Sequence, residues 1–185
     1  MTRISEVLVD PISRRYFVSN GFDGALTSVG IVVGAYLSGV PDGFTVVKIG
    51  VGAAVGLGTS GFWSVWEIEK AEKLAELYEI EESMLEDLDE TRPHLKKREA
   101  RRSNAFMSGL GPILAVLLTV SPFLFEGEPL GMLGATLVSV GVAVAVLFAL
   151  GAYMGKLSRR AWYVAGARMG LAGVFVALIN VLLPG

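Results

Sequence analysis

Asp23 lies in the run Ser19-Asn20-Gly21-Phe22-Asp23-Gly24-Ala25-Leu26-Thr27-Ser28, at the head of an apolar stretch that continues to Val40. It is the only acidic side chain within the five long apolar runs of the chain. A carboxylate inside a bilayer costs at least ~2.5 kcal/mol, so a retained one marks an ion path or a proton relay by default. Asn20, Thr27, Ser28, Thr59, Ser60 and Asn104 supply neutral oxygens near the same depth. Hydroxyl and amide oxygens suit a partly hydrated divalent cation. The same hydroxyls can instead bond their own backbone carbonyls. Two cations also fall within apolar runs, Lys48 and Arg168. Lys48 is close enough to a span end to snorkel. Arg168 is deeper and needs a partner, a role that Asp23 can fill as an alternative to ion binding.

A second set of oxygens follows the second apolar run. Glu69, Glu72, Glu76 and Glu79 recur every three or four residues, which places them along one helical stripe. Glu81, Glu82, Glu86, Asp87, Asp89 and Glu90 crowd the distal end. One reading is a solvated helix laced by pairs such as Glu69–Lys73 and Lys73–Glu76. The other is a collector of hard or borderline divalent cations, which favour oxygen ligands. His94 is the sole histidine, with no second histidine or cysteine to complete a zinc site, so it is expected at the surface, a metal-linked role being the alternative; the absence of cysteine excludes disulfides and thiolate nucleophiles. No phosphate-cradling glycine loop and no nucleophile-and-base set is present, so an enzyme is not expected. Neither a tightly bound cofactor nor a nucleic-acid partner is expected.

The elements that must position these groups are legible in the composition. The chain has 185 residues, is 52% hydrophobic with a mean hydropathy of +0.57, and keeps nearly all its charge outside the apolar runs. That segregation describes an integral membrane protein in contact with a lipid bilayer. A hydrocarbon core of about 30 Å needs about 20 apolar residues in a helix. Five runs qualify: Phe17–Val40, Gly43–Trp66, Asn104–Phe125, Pro129–Met154 and Trp162–Leu183. The expected fold is therefore all-α, a five-span bundle. From Glu67 to Leu88 there is no Gly or Pro, so the second helix is expected to continue beyond the membrane until Thr91-Arg92-Pro93 ends it. The chain then divides into residues 1–66, 67–103 and 104–185 within a single membrane domain.

Lys and Arg alternate across the connections. They crowd the N-terminal segment, the second connection and the fourth, and are absent from the first, the third and the C-terminal tail. This puts the N-terminus in the cytoplasm and the C-terminus outside. The polar N-terminal segment is not a cleavable signal, which points to a prokaryotic cell membrane. The pairs Gly30…Gly34, Gly52…Gly56, Gly151…Gly155 and Gly166…Gly170 allow close helix approach within a subunit or across a dimer.

The segment Asn20-Gly21-Phe22-Asp23-Gly24-Ala25-Leu26-Thr27-Ser28-Val29-Gly30 resembles the first-span signature of the vacuolar iron transporter family. Five spans, a Glu-rich extension of the second, Pro122-Phe123 closing the third, and Arg168 followed by glycines in the fifth are similar to the same family. The resemblance implies a homodimer that exports Fe2+ and/or Mn2+ from the cytosol in exchange for protons. The path would run between the first spans, with two copies of Asp23 facing each other and Glu69, Glu72, Glu76 and Glu79 collecting metal. Where many members carry a methionine and a glutamate in the second span, this chain reads Gly58-Thr59-Ser60-Gly61-Phe62-Trp63. That departure is the main support for a rival reading, a membrane-embedded metal-responsive or scaffolding protein whose acidic helix binds metal or a partner without transport.

Overall fold

The computed structural model describes residues 10–84, 92–127 and 130–182. All regular elements among the described residues are helical. They are α1 (Pro11–Leu37), α2 (Gly43–Met84), α3 (Arg92–Val120), a 3-10 turn (Ser121–Phe125), α4 (Met132–Leu157) and α5 (Trp162–Leu182). Each of the five α-helices contains a stretch long and apolar enough to cross a membrane.

Local chemistry sets the boundaries. The Asp10 carboxylate accepts the Ser13 N–H at 2.8 Å and Pro11 occupies the first helical position, so α1 starts six residues before the apolar run does. Gly39, at φ 68, turns the chain out of α1 in the left-handed region. Asp42 then caps α2 by accepting from the Thr45 N–H and hydroxyl, each at 2.8 Å. The end of α2, expected at Thr91-Arg92-Pro93, is not among the described residues, which resume at Arg92. Pro93 sits in the first turn of α3, where its missing N–H would have had no intrahelical partner. The basic run Lys96–Arg102, expected in a connection, is consequently helical. The α4–α5 turn closes through Arg160 N–H to the Gly155 carbonyl at 3.0 Å, with Arg159 at φ 53.

At about 1.5 Å per residue the 42 residues of α2 run ~63 Å, twice the hydrocarbon thickness, so α2 projects beyond any bilayer that holds its first half. Glu86, Asp87, Asp89 and Glu90, with the expected limits Pro129 and Leu183, lie outside the described residues.

The helices fall into two groups. α1 and α2 pack along α3, α4 packs along α5, and α1 also leans on both α4 and α5. Small residues make the closest approaches: a Cβ on Gly111 would stand 2.4 Å from the Phe17 carbonyl oxygen, and one on Gly151 2.6 Å from that of Ala165. Of the glycine pairs, Gly151…Gly155 serves this internal packing, whereas Gly52 and Gly56 have nothing within 4 Å. Val29, Val32, Val46, Val116, Val120 and Phe123 fill the core, while Phe44, Val55, Leu118, Leu137 and Phe175 point outward. Large apolar side chains on the outside suit a surface solvated by lipid.

Candidate functional site

The site is organised by a proline in α3. Pro112 lacks an N–H, so the carbonyl four residues earlier, that of Ser108, loses its intrahelical donor. Asn20 of α1 supplies the replacement: its Nδ2 donates to the Ser108 carbonyl at 3.2 Å and also, in a short contact, to the Ser108 hydroxyl. That hydroxyl in turn donates to the Gly61 carbonyl of α2 at 2.7 Å. One amide therefore ties α1, α3 and α2 together at a single level. Glycines permit the approach, since Gly24 faces Pro112 and Gly61 faces Ser108 with no room for a Cβ.

Asp23 follows one turn after Asn20, ~18 Å along an α1 that is ~40 Å long. Gly21, Gly24, Ala25 and Ser28 are buried, whereas Asp23 and Thr27 are exposed, four residues apart on one face. Ser28 does not join them: it is fully buried and its hydroxyl donates to the Ala25 carbonyl at 2.8 Å. Thr59 and Ser60 are exposed on α2, Thr59 within a groove between α2 and α3 that Phe62 and Phe106 also line. Among the described residues no hydrogen bond joins Asp23 to Thr27, Thr59 or Ser60. Arg168 is exposed on α5, and it forms no ion pair with Asp23 within the chain. The reason is geometric: each side chain projects from the surface of the bundle rather than into it.

The glutamate stripe divides. Glu69 is buried, 4% exposed, and is held by the Tyr16 hydroxyl at 3.2 Å and by Lys73 Nζ at 2.8 Å. It fastens α2 to α1 just where α2 is about to outrun the bundle. Glu72, Glu76 and Glu79 are exposed. Among the described residues no group of three acidic, histidine or cysteine side chains converges as a ready metal cage. Beside Glu69, Arg101 of α3 stacks its guanidinium 4.2 Å from the Trp66 ring centre. Asn104, 1% exposed, accepts from the Ser13 hydroxyl at 2.6 Å, so its oxygen serves an α1–α3 joint.

Ser108 and Pro112 were not singled out from the sequence. A signal for the first was present: a proline inside an apolar run orphans the carbonyl four residues back, which calls for a donor on a neighbouring helix.

The sequence profile of the VIT family matches residues 66–184, which leaves out α1 and Asp23. An uncharacterized protein of Methanocaldococcus jannaschii is 28% identical over 169 residues, covering 89% of this chain and 85% of that one. No solved structure matches.

Proposed function

Since the chain belongs to the VIT family, a family of membrane metal-ion transporters, we propose that it exports Fe2+ and/or Mn2+ from the cytosol in exchange for protons, as a homodimer. The observation that carries this reading is the exposure of Asp23 in the middle of α1. A carboxylate facing hydrocarbon costs at least ~2.5 kcal/mol, so a polar surface must cover it. A second copy related by two-fold symmetry offers the same face and brings a second Asp23 opposite the first. Two carboxylates with the Thr27 hydroxyls beside them form an oxygen set suited to a hard or borderline divalent cation.

In this mechanism Asp23 takes the metal when ionised and gives it up when protonated from the acidic side. Metal and protons then compete for the same oxygens, which is what exchange requires. Asn20 holds the register of α1 against α3, so it acts as a positioning residue. The projecting half of α2 is cytoplasmic by the alternation of basic residues, and Glu72, Glu76 and Glu79 raise the local cation concentration there. Glu69 has a structural task within the same helix.

The test is metal flux into proteoliposomes, with Fe2+, Mn2+, Co2+ and Zn2+ offered separately, with and without a pH gradient. Gradient-dependent flux that Asp23→Asn abolishes in an intact dimer supports the proposal. Unchanged flux in that variant refutes it. No flux of any ion, together with metal binding that depends on the α2 glutamates, supports the metal-responsive or scaffolding role instead.

A further inference from the structure

Lys156, Arg159, Arg160 and Arg168 stand on the α4–α5 hairpin, and no acidic residue occurs anywhere from Pro129 to Gly185. All four are exposed, and none makes an ion pair among the described residues. Arg160 and Arg168 line one groove of 510 Å³ between the helices, whose walls include Met154, Val164 and Met169 and whose floor is the Gly151–Ala165 contact. The groove is therefore apolar along its length and cationic at the turn. Trp162 packs edge-on against both Phe148 and Tyr163 beside it, the kind of aromatic girdle found at the headgroup level. Arg168 is six residues into α5, ~9 Å from Trp162, so its guanidinium can reach that level along the groove.

A second observation concerns Arg159. It holds φ 53 at the residue following the Ser158 cap of α4, a position where glycine avoids the steric conflict of a side chain. Arg159 thus brings a further exposed cation to the turn beside Arg160.

We propose that this groove binds an anionic phospholipid of the surrounding bilayer, its phosphate held by Arg160 and Arg168 and one acyl chain lying against Met154, Val164 and Met169. Arg159 adds a long-range attraction at the rim. Guanidinium groups match phosphate oxygens in a two-pronged geometry that ammonium groups do not. The site depends on the membrane location of the chain and not on what it transports, so the flux experiment above can fail without affecting it.

Native mass spectrometry of the full chain in neutral detergent, titrated with phosphatidylglycerol or phosphatidylcholine, tests the assignment. Retention of phosphatidylglycerol is expected to exceed that of phosphatidylcholine by roughly tenfold and to lose most of that preference in Arg160→Gln and Arg168→Gln. Lys48→Gln, at the opposite end of its span, should leave it unchanged. Arg168→Lys, which keeps the charge and guards against a folding defect in Arg168→Gln, should lose roughly threefold by giving up the fork. Equal retention of the two lipids, wild-type retention in both Arg168 variants, or full displacement by inorganic phosphate would each overturn the proposal, the last by identifying a soluble anion as the ligand.

Discussion

The bond from Asn20 to the Ser108 carbonyl exists because Pro112 cannot make it, and a double-mutant cycle can isolate that dependence. In Asn20→Ala the Ser108 carbonyl, buried and without a helical donor, goes unpaired, and the Ser108 hydroxyl loses a donor as well. An unpaired buried carbonyl costs ~1–3 kcal/mol, and hydrogen bonds between membrane helices measure ~0.6 kcal/mol on average and up to ~1.7. The single variant is therefore expected to lose about 2 kcal/mol. Pro112→Ala restores an N–H to the Ser108 carbonyl, and alanine keeps the Cβ that fills the hollow over Gly24. In that background Asn20→Ala should cost about 1 kcal/mol less, because only the hydroxyl contact remains to be lost. Equilibrium unfolding in mixed dodecyl sulfate and maltoside micelles, followed by helical circular dichroism, gives all four corners of the cycle. Additivity within ~0.3 kcal/mol would refute the pairing of amide and proline.

Three further outcomes follow from the same geometry. Gly111→Ala should destabilise by ~1–3 kcal/mol, since its Cβ meets the Phe17 carbonyl, while Gly52→Ala should be neutral or gain up to ~1 kcal/mol in helix propensity; equal effects in the same unfolding assay would contradict the packing. The Thr45 hydroxyl and N–H hold the Asp42 carboxyl below its ordinary value of 3.8, so its capping contribution is present above that pH and fades as pH falls through the lowered folded value; unfolding curves of Asp42→Ala should lie below wild type at neutral pH and converge with it in acid. Glu69→Gln and Tyr16→Phe should lower stability by ~0.5–1.5 kcal/mol, whereas Glu72→Gln and Glu79→Gln should leave stability unchanged and weaken divalent-metal binding measured by calorimetry.

The five spans were readable because lipid imposes one requirement, about 20 apolar residues per helix, that leaves a direct trace in composition. Boundaries were less so. Pro93 carries the same residue type whether it follows one helix or opens the next, and its place in the first turn of α3 comes from the fold, not from the residue type. The glutamate stripe was legible as a stripe, but spacing assigns a face of the helix and not what covers it. Tyr16, 53 residues away, is what separates Glu69 from Glu72, Glu76 and Glu79. Ser28 shows the same limit, since its register beside Asp23 says nothing of whether the hydroxyl turns back to Ala25. Asp23 itself was the clearest signal, because a charge in an apolar run is conspicuous in any register.

The last glycine of α2 is Gly61, and from Phe62 to Met84 the helix has neither glycine nor proline to act as a hinge. Those 23 residues form a stiff arm ~35 Å long whose fulcrum is the Glu69–Tyr16 fastening and the Ser108–Gly61 bond. A tilt of ~10° pivoting at Gly61 sweeps Met84 through ~6 Å, and one pivoting at the Glu69 fastening sweeps it through ~4 Å. In the export role proposed above, a cation taken up by Glu72, Glu76 or Glu79 would sit on this arm, beyond the Glu69 fastening, so that a small change of tilt at the membrane half would move it by several times the displacement at the pivot.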